Sequence, residues 1–352
     1  MSRVNVRKSE CMKPTIFEIC AGAGGQALGI DLAGFEHIAA VEIDHTACDT
    51  LRLNRPSWNI LQQDIRQTNG KSFRGVDLFA GGVPCPPFSI AGKQLGSEDE
   101  RDLFPEAVRL VEEMRPRAVM LENVPGFASK KFQAYREGLM HSLSQIGYDC
   151  GWRVFYACDF GVPQLRPRFI LVAVRRPYSK RFKWPKHRKQ PQSVGGVLQD
   201  LMCSRGWKGA KSWAKRANDI APTLVGGSKK HGGPDLGPTR ARKEWEKLGV
   251  DGLGVADFPP DPDFPEHGMP RLTVRMAARI QGFPDSWEFS GRKTASYRQV
   301  GNAFPPPVAN AVARAIKIAL EGTGKKQIQD QPALNYIPST FEFLEPALAT
   351  VG

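Results

Sequence analysis

Between residues 15 and 175 short apolar runs alternate with amphipathic segments, and this rhythm constrains the fold more than any other feature of the chain. TIFEI (15–19), HIAAVE (37–42), VDLFA (76–80), RAVMLEN (117–123) and RFILVAV (168–174) have the length and composition of buried strands. A shorter strand-like piece precedes Asp64. Residues 25–32, 45–53, 103–114 and 132–146 carry apolar side chains at helical spacing. A helix between successive strands carries the chain back across the sheet, so the strands run parallel with helices on both faces. The expected fold class is α/β, a doubly wound and mainly parallel sheet.

From about 178 to 270 the rhythm fails. Glycine, proline, lysine and tryptophan dominate, in loops such as GGSKKHGGPDLGP (226–238) and FPPDPDFPEHGMP (258–270). Charge separates this stretch as well. Residues 178–243 hold sixteen Lys/Arg and three acids, which accounts for the chain's whole surplus of +13; elsewhere 33 basic residues balance 33 acidic ones. A basic, irregular lobe beside a neutral α/β lobe predicts a polyanionic partner. Trp184, Trp207 and Trp213 read as its core, and no regular scaffold is legible. Order returns with a short helix in LTVRMAARIQGF (272–283), capped by Thr273 and stopped by Gly282. An amphipathic helix follows FPPP (304–307) and ends near Gly322. The expected division is therefore 1–177, 178–270, 271–322 and a peripheral tail, 323–352.

No apolar run approaches the roughly 20 residues of a membrane helix, and MSRVNVRKSE lacks the apolar stretch of a signal peptide. A cytoplasmic protein without a membrane partner is expected. Seven cysteines without a CxxC pair predict reduced thiols and no metal site.

The first strand runs into EICAGAGGQALG, where Gly22, Gly24 and Gly25 form a turn opening onto a helix. Such a turn lets backbone N–H groups approach a ligand at a helix N-terminus. Glu42 ends the second strand about 20 residues on, where a carboxylate accepts ribose hydroxyls, and Asp64 follows the next. A nucleoside cofactor is predicted; nicotinamide dinucleotide and S-adenosylmethionine fit the pattern equally. GGVPCPPFS (81–89) then sets Cys85 among prolines at a strand's carboxyl end. Glu122-Asn123-Val124 end the neighbouring strand, and Gln164-Leu165-Arg166-Pro167-Arg168 add a polar cluster. A thiol and a carboxyl group on adjacent strand ends suit a nucleophile and an acid.

In order, ICAGAGG, PCPPFS with IAGKQLGSEDER, ENV, QLRPR, RLTVRMAARIQGFP and YRQVGNAFPPPVA resemble the motifs of prokaryotic and phage DNA (cytosine-5)-methyltransferases across nearly all of 15–321. The resemblance implies a Rossmann-like, S-adenosylmethionine-dependent methyltransferase fold with a mixed sheet and a smaller target-recognition domain. It implies methylation of carbon 5 of cytosine in a specific duplex sequence, by base flipping and a covalent Cys85 adduct. Glu122 would act at ring nitrogen 3, while Arg166 and Arg168 hold the base. Gly22, Ala23 and Gly25 would line the methionine end of the cofactor, and Cys20 would stand where the family packs a side chain on the adenine. Glu42 would take the ribose with Ile43 beside it, and Asp64 and Ile65 the adenine. Pro84 and Leu103 would pack nearby, and Asn302 would meet the amino-acid moiety. Ser89 and Lys93 would contact DNA, as would Thr223 of APTLVGG (221–227), Arg240 and Arg242. Two positions depart from the family: Cys20 stands where phenylalanine is usual, and Pro86 where glutamine often follows the nucleophile. The resemblance further implies a monomer and, as a functional partner without direct contact, a cognate restriction endonuclease. An RNA-acting enzyme on the same scaffold would share these motifs, as would a catalytically silent DNA-binding homologue. The basic lobe favours duplex DNA over RNA, and retention of Cys85, Glu122 and Arg168 favours an enzyme.

Overall fold

The computed structural model describes residues 13–84, 102–186, 190–226 and 235–322. Cys85, Pro86, Ser89, Lys93 and the tail lie outside them.

The chain begins β1 (Thr15–Ile19), α1 (Gly25–Leu32), β2 (Glu36–Glu42), α2 (His45–Asn54), β3 (Ile60–Gln62), β4 (Leu78–Gly82), α3 (Phe104–Met114) and β5 (Ala118–Asn123). After α4 (Gln133–Gln145) come β6 (Tyr148–Tyr156) and β7 (Pro167–Arg175). One seven-stranded sheet results, ordered β3-β2-β1-β4-β5-β7-β6. The first five strands are parallel, whereas β7 runs antiparallel to both β5 and β6. The sheet is therefore mixed, as the resemblance implies. β6 is absent from the continuous apolar runs because its apolar residues alternate, Tyr148, Cys150, Trp152 and Val154 being separated by Asp149, Gly151 and Arg153.

Order reverses at β1, so the crossovers leave β1 and β4 in opposite directions and open a crevice at their carboxyl ends. Register brings the useful ends together: Ile19 pairs with Val41 and Gly81, and Gly82 pairs with Glu122. On one face, α11 (Pro306–Glu321) lies across α1. Gly29 permits that approach, since a Cβ there would stand 2.8 Å from the Asn310 backbone nitrogen. Val308, Val312, Ile316 and Leu320 form its buried stripe, each such side chain contributing about 1.5–3 kcal/mol. The other face packs Phe17, Phe79 and Leu121 against α3 and α4.

The lobe beyond β7 differs from expectation. After α5 (Arg176–Ser179), Phe182 and Trp184 pack in the core under α11, so the chain leaves that core after Trp184 and not at 178. The following stretch is no irregular coil: it holds α6 (Val194–Cys203), α7 (Ala210–Arg216) and α8 (Thr239–Lys247). Trp207, Trp213 and Trp245 are buried among them, in a cluster continuous with Leu28 and Leu51 of the cofactor side. Short helices flanked by Gly and Pro have too few turns to show periodicity in sequence. The expected Thr273 cap is present: its side chain accepts from Met276 N–H and opens α9 (Val274–Ile280). Gly282 follows at φ 89°. α10 (Lys293–Asn302) completes the set. Among the described residues no helix is long and apolar enough to cross a membrane, and no side-chain cluster could hold a metal ion.

Candidate active site at the sheet switch point

A cavity of about 260 Å³ fills the crevice. Its floor is the turn after β1, where Cys20, Gly22 and Gly24 all have positive φ (49°, 53° and 84°). Gly24 is required twice: a Cβ would lie 2.7 Å from both Leu51 and Trp287, besides the strain of its backbone. Trp287 also donates its indole N–H to the Ala23 carbonyl (3.1 Å) and so pins the turn from a distant segment. Glu42 closes one wall. Its carboxylate accepts N–H groups from Gly22 (2.7 Å), Ile43 (2.9 Å) and Asp44 (2.8 Å), which fixes the side chain between two strand ends. The opposite wall is a stripe of α10, with Ala295, Arg298, Gln299 and Asn302 at successive helical turns.

The cavity reaches Glu122 at the end of β5, and Gly82 leaves the room that carboxylate occupies. Arg168 Nε stands 2.8 Å from Glu122 Oε1, with both side chains largely buried. Burial raises the Glu122 carboxyl above its ordinary value, and the Arg168 and Arg166 charges oppose that rise without cancelling it. Neighbouring Asn123 donates to the Val83 carbonyl (2.9 Å) and accepts from Val124 N–H (2.7 Å). It thereby fixes the chain two residues before Cys85.

Arg166 departs from the expectation that it holds a base. It is fully buried, and its guanidinium donates to the carbonyls of Leu224 (2.8 Å), Gly301 (2.7 Å) and Ala303 (2.8 Å). Gln164 joins the same clasp: it accepts from Leu224 N–H (2.8 Å) and donates to Gln281 (2.7 Å). These bonds align residues 221–224 beside 163–166, as the Gln164–Ala221 bridge records. Thr223, half-buried, is thus carried to the edge of the site beside exposed Leu165 and Val225. Gly237 packs on Val225 and Ala241, and α8 starts two residues after it, carrying exposed Arg240 and half-buried Arg242, whose guanidinium donates to Thr239 (3.1 Å).

Of the expected cofactor residues, Cys20, Gly22, Ala23, Gly25, Glu42 and Asn302 line the cavity. Burial raises the Cys20 thiol, with Glu42 and Asp64 adding to the shift, so Cys20 is a neutral wall here. Ile43, Asp64, Ile65, Pro84 and Leu103 stand outside that lining. Ile43 and Pro84 are exposed beside it, and Leu103 packs toward the α3–α4 core. The Ile65 side chain is buried in that core, which leaves only its backbone to face a ligand. Asp64 caps a short helical turn and pairs with Arg66 (2.8 Å). Sequence reading missed Trp287, Arg298 and Gln299; RQVGNA was recognisable, but which face of α10 meets the cavity is a tertiary matter.

A glycine turn, a strand-end carboxylate and a buried Glu–Arg pair around one switch-point cavity define an α/β enzyme that acts with a nucleoside-type ligand. Comparison with known proteins names the class. The family described as C-5 cytosine-specific DNA methylase matches residues 14–318. The Type II methyltransferase M.NaeI of Lentzea aerocolonigenes is 54% identical over 321 residues, covering 90% of this chain and 78% of that protein. M.NgoMIV of Neisseria gonorrhoeae is 52% identical over 318 residues, covering 88% and 99%. Among solved structures, one described as a DNA modification methyltransferase encoded within a prophage (E. coli) aligns with TM-score 0.63 at 25% identity, over 88% of this chain and 99% of that one. Spodoptera frugiperda DNMT2 shares the fold at TM-score 0.63, over 86% and 99% of the two chains, at 19% identity. The chain belongs to the C-5 cytosine-specific DNA methylase family and is a DNA cytosine-5 methyltransferase.

Proposed function

We propose that the methyl donor is S-adenosylmethionine and that the target is a cytosine flipped out of duplex DNA and attacked by Cys85. The observation that carries this reading is the Glu122–Arg168 pair facing the cofactor cavity, with Asn123 fixing the chain just before Cys85. The cavity suits the donor. At Gly22 a Cβ would meet nothing within 4 Å, so the turn presents open space to a ligand. Glu42 is held rigid by its backbone N–H partners, which suits it to take a ribose, and α1 has no side-chain cap over its N-terminus. When bound, S-adenosylmethionine supplies an electrophilic methyl group on a sulfonium.

Carbon 5 of cytosine is a weak nucleophile, and the protein's task is to raise its electron density. The Cys85 thiolate bonds to carbon 6, and the ring electrons move toward carbon 5. Glu122 hydrogen-bonds ring nitrogen 3, and its raised affinity for a proton suits it to donate there. Arg168 steadies the carboxyl group and lies beside the base. Arg166 acts as a positioning residue, through the carbonyls it clasps. After methylation nitrogen 3 returns its proton to Glu122, and loss of the carbon-5 proton to water leaves the electron pair that expels the thiolate. Extrusion of a base costs a few kcal/mol, offset by phosphate contacts from Arg240 and Arg242 of the basic lobe and from Ser89 and Lys93 of the segment after Cys85, with Thr223 at the recognition strip. The named relatives are Type II methyltransferases, and a cognate restriction endonuclease is proposed as functional partner here too.

Duplex oligonucleotides carrying 5-fluorocytosine at the target test the mechanism, because fluorine cannot leave as a proton does. A covalent adduct on Cys85, lost in Cys85→Ser, is expected. Absence of the adduct, or methylation by Cys85→Ser, overturns the mechanism. Parallel assays on transfer RNA separate duplex DNA from RNA as the substrate.

A further inference from the structure

The charges around the cavity do not balance among themselves. Its described lining holds three carboxylates, Glu42, Asp44 and Glu122, and one cation, Arg298. Each carboxylate is already satisfied. Glu42 accepts three backbone N–H groups, Asp44 caps α2 through Thr46 and Ala47, and Glu122 pairs with Arg168. Arg298, only half exposed, makes no hydrogen bond or ion pair with any described residue. A guanidinium on a cavity wall with no protein partner is available to an anionic ligand.

We propose that Arg298 binds the α-carboxylate of the cofactor's methionyl end, an inference that rests on the S-adenosylmethionine reading above. Arg298 lies one helical turn before Asn302 on the stripe of α10 that walls the cavity. Ala23 and Gly25 line the same cavity, where α1 begins with no acidic residue in its first turn to compete for its N–H groups, while the Gly22 N–H is already taken by Glu42. A carboxylate between them would receive N–H groups and the positive end of α1 on one side, and a forked cation on the other. The arrangement also sorts ligands. A nucleoside without the amino-acid arm would gain Glu42 and the turn, and lose Arg298.

Calorimetric titration without DNA tests this with two probes: S-adenosylhomocysteine, which carries the carboxylate, and 5′-methylthioadenosine, which lacks the whole arm. In Arg298→Gln the affinity for S-adenosylhomocysteine is expected to fall about tenfold or more, equivalent to about 1.4 kcal/mol. Affinity for 5′-methylthioadenosine should stay within about twofold, well below that threshold. Arg298→Lys, which keeps the charge without the fork, should fall between. Equal weakening of both probes would mean that Arg298 only supports α10. Unchanged binding of both would leave the carboxylate to α1 alone, and either result overturns the proposal. A wild-type protein that binds neither probe would overturn the cofactor reading itself.

Discussion

The two ends of the site are built from different materials. At the cofactor end the chemistry is backbone: a turn of positive-φ residues, a carboxylate held by three N–H groups and an uncapped helix N-terminus. At the end proposed for the base it is buried side-chain charge: Glu122 against Arg168, with Arg166 behind them clasping three carbonyls. Backbone sites depend on which residues fit a conformation, so they fail through strain and crowding. Charged sites depend on mutual compensation, so removing one member strands the others.

Substitutions should separate these two modes, and the largest effect belongs to the charged end. Glu122→Gln is expected to lower kcat/KM by about 10²–10⁴-fold, the usual contribution of a positioned acid. Its pH profile gives a sharper test. Burial raises the Glu122 pKa, so the protonated form persists upward from the ordinary carboxyl range and is lost as pH rises through the raised value. Activity that needs the donor should fall along that alkaline limb in the wild type, and the limb should vanish in Glu122→Gln. A limb that survives the substitution would assign it to another group.

Arg166→Met should act on the fold more than on the chemistry. Three buried carbonyls would lose their donor, and a loss of about 3–5 kcal/mol is expected in urea unfolding. A variant of near-normal stability but reduced turnover would instead place Arg166 on the base. At the backbone end, Gly24→Ala meets both positive φ and a wall of Leu51 and Trp287. Strain and overpacking together predict about 2–4 kcal/mol of destabilisation and a matching loss of cofactor affinity. Gly22→Ala is the smallest change, because nothing lies within 4 Å and only the φ of 53° resists. About 1 kcal/mol is expected in thermal unfolding; a larger loss of cofactor affinity than of stability would show that the ligand occupies the open space.

A second contrast lies in how much of each region is legible in the sequence. The parallel strands and their helices are set by local periodicity, and α1 spans the expected Gly25–Leu32. The antiparallel β6 does not show as an apolar run, because Asp149, Gly151 and Arg153 interrupt it, and its ladder to β7 supplies the order. The recognition lobe was harder still. Its helices are short, and what holds Trp207, Trp213 and Trp245 together is a core shared with residues from α1 and α2, far away in sequence. The basic composition of the lobe was legible from the sequence; its helical scaffold was not.

The sequence by itself determined the α/β alternation, the glycine turn, the carboxylates at the ends of β2 and β5, and the order of motifs that marks the family. These are local properties, fixed by side-chain period and by residues that few backbone conformations tolerate. Only the tertiary structure decided what Arg166 and Arg168 each contact, although they stand two residues apart in one motif. Arg168 meets Glu122 across the β5–β7 ladder, while Arg166 turns inward to carbonyls from 224, 301 and 303. An arginine's role follows from the acceptors around it, and here those acceptors come from chain segments as many as 137 residues away.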